Sequence, residues 1–157
     1  MKALKLMSCL VVLFGLTACA AKSGLTNKEK AEAYQAFIES EKLTELDRIT
    51  AFRLNGWASL GDKHLILYKT HTKPYLITLN RNCYDLDFAT AIKVNSNGST
   101  LQTKFDSISV PGEIEVKCFI KSIHKVSKEQ KQALFDIGKE PEEVKGTNAE
   151  SAESQLI

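Results

Sequence analysis

Apolar and polar residues change rhythm along the chain, and the change divides it into elements. Between Lys28 and Leu46, Tyr34, Phe37 and Ile38 fall on one side at helical spacing, with Glu41 at the margin and Asn27 placed to cap the start. The stripe is narrow and the remaining face mixes acid and base, which predicts a helix packed on a domain rather than one lying in a membrane. From Ile49 the pattern becomes extended. Ile49–Leu54, Trp57–Leu60, His64–Tyr68 and Tyr75–Leu79 are rich in β-branched and aromatic residues, and the separators Asn55-Gly56, Gly61-Asp62 and Lys73-Pro74 carry turn chemistry. Short connections of this kind make neighbouring strands antiparallel. Asn55-Gly56 also fits a bulge within one longer strand ending at Leu60.

The same alternation continues towards the C-terminus. Phe88–Val94 begins a further strand, Asn95–Gly98 turns, and Leu101–Val110 alternates loosely until Pro111-Gly112 breaks it. Ile114, Val116, Cys118 and Ile120 alternate cleanly, which puts Cys118 on an apolar strand face. Ser127 followed by Gln130 is a capping-box signature, Ala133, Leu134 and Ile137 share one face, and Gly138 suits a helix end. The expected fold class is therefore α+β: a small antiparallel β-sheet or partly closed barrel of about six strands, with an N-terminal and a C-terminal helix. Residues 139–157 hold Pro141, several acids and few large apolar groups, and are expected to form a disordered tail.

The first 18 residues stand apart from this domain. Lys2 and Lys5 lead into an apolar run from Cys9 to Leu16, and small residues follow at Ala18, Ala20 and Ala21, the layout of a secretory signal. The run is too short to span a bilayer, which takes about 20 residues. Ala18-Cys19-Ala20 fits ordinary signal peptidase, while Leu16-Thr17-Ala18-Cys19 resembles the bacterial lipobox. That second resemblance implies a diacylglyceryl group on Cys19, which becomes the first mature residue. Ala20, in place of Asp, implies by the same resemblance transfer to the outer membrane. The domain plan is a lipoprotein signal peptide at 1–18, a lipid-anchored tether at 19–27, one β-rich domain at 28–138 and the tail beyond. The expected location is the periplasmic face of the outer membrane.

Removing that leader alters the charge and cysteine counts. The 157-residue chain has 21 Lys+Arg against 19 Asp+Glu, and Lys2 and Lys5 leave with the leader, so the mature chain balances. A balanced chain offers no cationic footprint for nucleic acid. Of four cysteines, Cys9 belongs to the leader and Cys19 to the anchor, leaving Cys83 and Cys118. In an oxidising compartment two such thiols are expected to pair; two separate buried thiols are the alternative.

Candidate chemistry is sparse. His64, His71 and His124 lack the close paired spacing of a zinc site, so no metal and no cofactor is expected. Asp85 with Asp87 and Glu113 with Glu115 would put two carboxylates on one side of an extended segment, which suits acid–base work and equally a solvated strand face. Trp57, Tyr68, Tyr75 and Tyr84 come from adjacent segments and could line a small cleft or pack as core.

Asp47-Arg48-Ile49, Gly56-Trp57, Tyr75–Leu79 followed by Cys83 and Leu86, Phe105-Asp106-Ser107-Ile108, and Cys118 with Ile123 together resemble a family of small proteobacterial lipoproteins defined as a domain of unknown function. The resemblance covers roughly residues 30 to 138 and implies a small β-rich fold with Cys83 and Cys118 bridged. It brings no catalytic residues. The function expected is a non-enzymatic binding or structural module of the envelope. Its partners are the membrane, through the anchor, and an envelope protein or a small ligand. The alternative is a small periplasmic hydrolase using Asp85, Asp87 or a histidine, or a ligand- or metal-binding protein.

Overall fold

The computed structural model of the chain describes residues 25–112, 115–137 and 139. Helix α1, Asn27–Ser40, opens with a capping box one residue earlier than the sequence pattern indicates. Thr26 accepts from the Glu29 backbone N–H, and the Glu29 carboxylate accepts from the Thr26 backbone in return. Asn27 is thereby freed from capping, and its Nδ2 donates to Asp62 Oδ2 at 2.6 Å, tying the helix start to a strand turn. The helix stops at Ser40, well before Leu46. Lys42 has a positive φ of 48°, and Glu45–Leu46 pairs as a strand, β1.

The remaining strands are β2 (Arg48–Ile49), β3 (Gly56–Ser59), β4 (His64–Thr70), β5 (Lys73–Leu79), β6 (Lys93–Asn95), β7 (Leu101–Gln102), β8 (Ser107–Ser109) and β9 (Cys118–Lys125). Six of them run antiparallel in the order β3-β4-β5-β9-β8-β6 and curl into a half-barrel. β1 joins β9 beside β8, through Glu45↔His124 and Leu46↔Ile123. β2 and β7 form a separate pair. Its Ile49 and Leu101 close the inner core. Three expected strands are shorter than their hydrophobic patterns. Ile49–Leu54 keeps only its start because Ala51 sits at φ 48°, and Phe88–Val94 begins as a 3-10 turn, Leu86–Phe88, behind Asp85 at φ 60°. Leu101–Val110 splits into β7 and β8 around Lys104 at φ 70°, a bend held by the Asp106 carboxylate accepting from the Gln102 N–H at 2.7 Å.

Pro74 lies inside β5 rather than in the turn, opposite the register shift between Tyr68 and Thr70, where a strand tolerates a missing donor. Asn55-Gly56 marks the entry to β3, with the Asn55 N–H donating to the Tyr68 carbonyl.

Strand alternation gives the sheet two apolar faces. Leu65, Leu67, Tyr75, Ile77, Leu79, Ile108, Ile120 and Ile123 fill the inside of the curl. Ile66 and Leu76 point outward beneath α1 and helix α2, Lys128–Ile137, where Tyr34, Ile38, Val126 and Leu134 cover them. The capping box at Ser127 forms as its sequence indicates: Gln130 N–H to Ser127 Oγ at 3.1 Å, Ser127 N–H to Gln130 Oε1 at 2.9 Å. Cys83 and Cys118 are joined as a disulfide with a Cα–Cα distance of 5.7 Å, fastening the segment after β5 to the first residue of β9. Among the described residues the fold is thus α+β, with two helices, a curled antiparallel sheet and one disulfide. The leader, Cys19, most of the 19–27 tether, Glu113, Ile114, Gly138 and the tail apart from Lys139 lie outside the described residues.

Candidate functional site

The helix layer does not seal the sheet completely. Between α1, the C-terminal half of α2 and the β3–β4 turn lies a cleft of about 440 Å³. Helical spacing explains its walls: Lys30 and Tyr34 stand one turn apart on α1, and Gln132 and Phe135 share a face of α2, followed by Lys139. Its floor is the Ser59–Gly61 corner. Gly61 takes a φ of 106°, which a side chain would strain, and this turns the chain tightly enough for the Gly61 N–H to reach Ser59 Oγ at 3.0 Å. Asp87 enters from the 3-10 turn, with Oδ1 3.2 Å from Ser59 Oγ. The single hydroxyl hydrogen of Ser59 is shared between that carboxylate and the Gly61 carbonyl, also 3.2 Å away.

Under the cleft, burial governs ionisation. Tyr34 is 1% exposed, and burial, reinforced by the negative charge of Asp87, pushes its phenol up to about 12. Its ring leans on the His64 imidazole with centroids 5.2 Å apart. His64 belongs to a buried polar row running across three strands, His64↔Thr78↔Ser122. His64 Nε2 and Thr78 Oγ1 there have no hydrogen-bond partner among the described residues, nor does Nδ1 of His124. Burial first, and then the charges of Lys63 and Lys121, lower the His64 pKa to about 4. His124 is lowered too, by burial, with Glu45 opposing. Both imidazoles are neutral at neutral pH. Tyr34 keeps its phenol proton at the same pH.

The residues singled out by sequence scatter. Trp57 and Tyr75 pack with the inner core, Tyr68 belongs to the outer cluster with the Lys131 ammonium 5.7 Å from its ring centroid, and Tyr84 projects into solvent. The four aromatic rings do not meet in one cleft. Asp85 and Asp87 separate because the segment is not extended: Asp87 lines the cleft, while Asp85 borders another hollow of about 380 Å³ with Phe88 and Val110. Glu115 lies on the surface, accepting from Ser109 Oγ at 2.7 Å and Lys93 Nζ at 3.1 Å. His71 is exposed in the β4–β5 turn, and no group of three or more His, Cys, Asp or Glu among the described residues is placed to hold a metal ion.

Of the cleft-lining residues, sequence reasoning named Asp87 as a chemical candidate and Tyr34 as a packing residue. Lys30, Ser59, Gln132, Phe135 and Lys139 escaped it, because the cleft joins four segments that no local pattern connects.

A small half-barrel with two covering helices, a disulfide across one end of its central strands and a polar cleft is the class this geometry defines. The sequence profile of DUF6491, a family of unknown function, matches residues 2–137, and the chain belongs to that family. No curated protein and no solved structure matches the chain.

Proposed function

We propose that the protein is a bacterial envelope lipoprotein, anchored through Cys19 on the periplasmic face of the outer membrane, which binds a small polar ligand without transforming it. One observation carries the binding half of this reading: side chains of both charges, Lys30 and Lys139, the latter also paired with Asp136 at 2.9 Å, against Asp87, meet around one cleft whose buried neighbours do not change protonation near neutrality. Such a site recognises and does not shuttle protons. A volume of about 440 Å³ suits a molecule the size of an amino acid or a short peptide end, its carboxylate towards a lysine and its ammonium towards Asp87. The anchoring half is supported by the basic-apolar-small order of residues 1–18 and by Leu16-Thr17-Ala18-Cys19. A buried disulfide in the domain accords with an oxidising compartment.

Calorimetric titration of the purified chain with amino acids and dipeptides tests the binding half. Saturable heat is expected, abolished by Asp87→Asn; measured turnover of any of these compounds would overturn it. Mass spectrometry of the chain exported by a bacterial host tests the anchor: diacylglycerol is expected on Cys19 and absent from Cys19→Ala. A bare Cys19 would refute it.

A further inference from the structure

Solvent-exposed large apolar side chains are not spread evenly over this molecule. Among the described residues they are Leu25, Tyr84, Phe88, Phe105, Val116 and Phe119, with Phe88, Tyr84 and Phe105 exposed by 84%, 78% and 77%. Isolated exposed hydrophobes are ordinary; segregated ones mark a contact surface.

All six sit on segments belonging to one end of the sheet. β3 and β5 finish there, β4 and β9 begin there, and α1 enters there through the Asn27–Asp62 hydrogen bond. Leu25 precedes α1 by two residues. Tyr84 follows Cys83, whose N–H donates to the Asp62 carbonyl, and Phe88 closes the 3-10 turn. Phe119 accepts from the Asn80 N–H and shares a groove with Phe105, while Val116 lies just ahead of Cys118. The opposite end, made by the β4–β5 turn, residues 41–55 and the start of α2, exposes no large apolar side chain among the described residues.

The chain leaves for Cys19 from this apolar end. Eight peptide steps separate Cys19 from Asn27, a reach of less than about 30 Å even when fully extended. We infer that this end is a membrane-docking surface, with the aromatic side chains entering the headgroup zone of the bilayer to which Cys19 is tethered. Aromatic rings favour that zone, so the surface should hold to a bilayer without help from the anchor. Both signs of charge occur at this end, Lys30, Lys63 and Lys117 beside Asp62, Asp87 and Glu115, so charge gives the surface no single sign. Docking is therefore apolar, and it turns the α1–α2 cleft, which shares this end, towards the lipid. The orientation rests on the anchor reading, whereas the apolar surface does not.

The test uses the mature chain from Cys19 onward, made without lipid by Cys19→Ser, and vesicles of phosphatidylethanolamine and phosphatidylglycerol in a flotation assay. Both cores come from residues 34–134, so removal of the leader leaves the fold intact. The chain is expected to float with the vesicles, and Phe88→Ser and Phe105→Ser each to lower partitioning about tenfold, with unfolding temperature unchanged and little response to salt. Lys125→Ser at the far end should float like the parent. Failure of the parent to float, unaltered partitioning of both serine variants, or steep salt dependence would each overturn the proposal. So would loss of a dimer in the serine variants, which would make the patch a contact between two copies. A bare Cys19 in the exported chain refutes the anchor alone and leaves the flotation result standing.

Discussion

Breaking the Cys83–Cys118 bridge should cost this domain a large part of its stability. The bond closes a loop with a sequence separation of 35, and the chain-entropy relation for such a loop gives about 4 kcal/mol at 25 °C. Both cysteines are essentially inaccessible, at 1% and 0% exposure, so alanine replacements remove little polar character and leave only small voids. For a domain of this size that loss corresponds to a fall in unfolding temperature of about 10–20 °C. Circular dichroism melts of the parent with and without reductant, and of Cys83→Ala, Cys118→Ala and the double variant, measure it. The two single variants and the double should melt within a few degrees of one another, because each removes the same constraint. A reduced parent melting where the oxidised one does would refute the loop argument. Widely separated single-variant melts would show that one sulfur contributes chiefly by packing.

Acid should destabilise the domain through His64. Its pKa is about 4 when folded and 6.5 in an unfolded chain, so between these values the unfolded state binds the additional proton and stability falls as pH drops. The loss amounts to about 3 kcal/mol and is complete below pH 4. Urea titrations of His64→Leu should show a flatter profile across that window; an unchanged slope would count against burial as its cause. Ser127→Ala, which removes the N-terminal cap of α2, should cost about 1 kcal/mol in the same assay. Ile123→Ala should cost about 3 kcal/mol, since its fully buried side chain lies on β9 where β5 and β1 both pair.

What the sequence discloses depends on the range of the interaction involved. The strand-forming runs at His64–Tyr68 and Tyr75–Leu79, the cap at Ser127 and the apolar setting of Cys118 are local facts, and the structure reproduces them. Strand limits fail wherever a residue other than glycine adopts a positive φ. Ala51, Asp85 and Lys104 do so, and Lys42 does so where the first helix ends, a backbone choice that leaves no mark on composition. The cap at Thr26 was obscured by the better-ranked Asn27, whose side chain is engaged instead by Asp62, 35 residues away. The cleft is the least legible feature. Lys30, Ser59, Asp87 and Gln132 are neighbours only because the sheet curls and both helices lie on one side of it.

The position of β9 bears on how the chain acquires its shape. This strand, close to the C-terminal end of the domain, is the one against which β5, β8 and β1 all register, and α2 follows it to cover the outer face beside α1. A polypeptide delivered from its N-terminus can thus form α1, the β3–β4–β5 hairpins and the short β2–β7 and β6–β8 pairs, but nothing joins these pieces into one sheet until residue 118 emerges. Pairings so distant in sequence form late and slowly. Until β9 is added the unfinished chain stays pliable, and the sheet is completed only when nearly the whole domain is present.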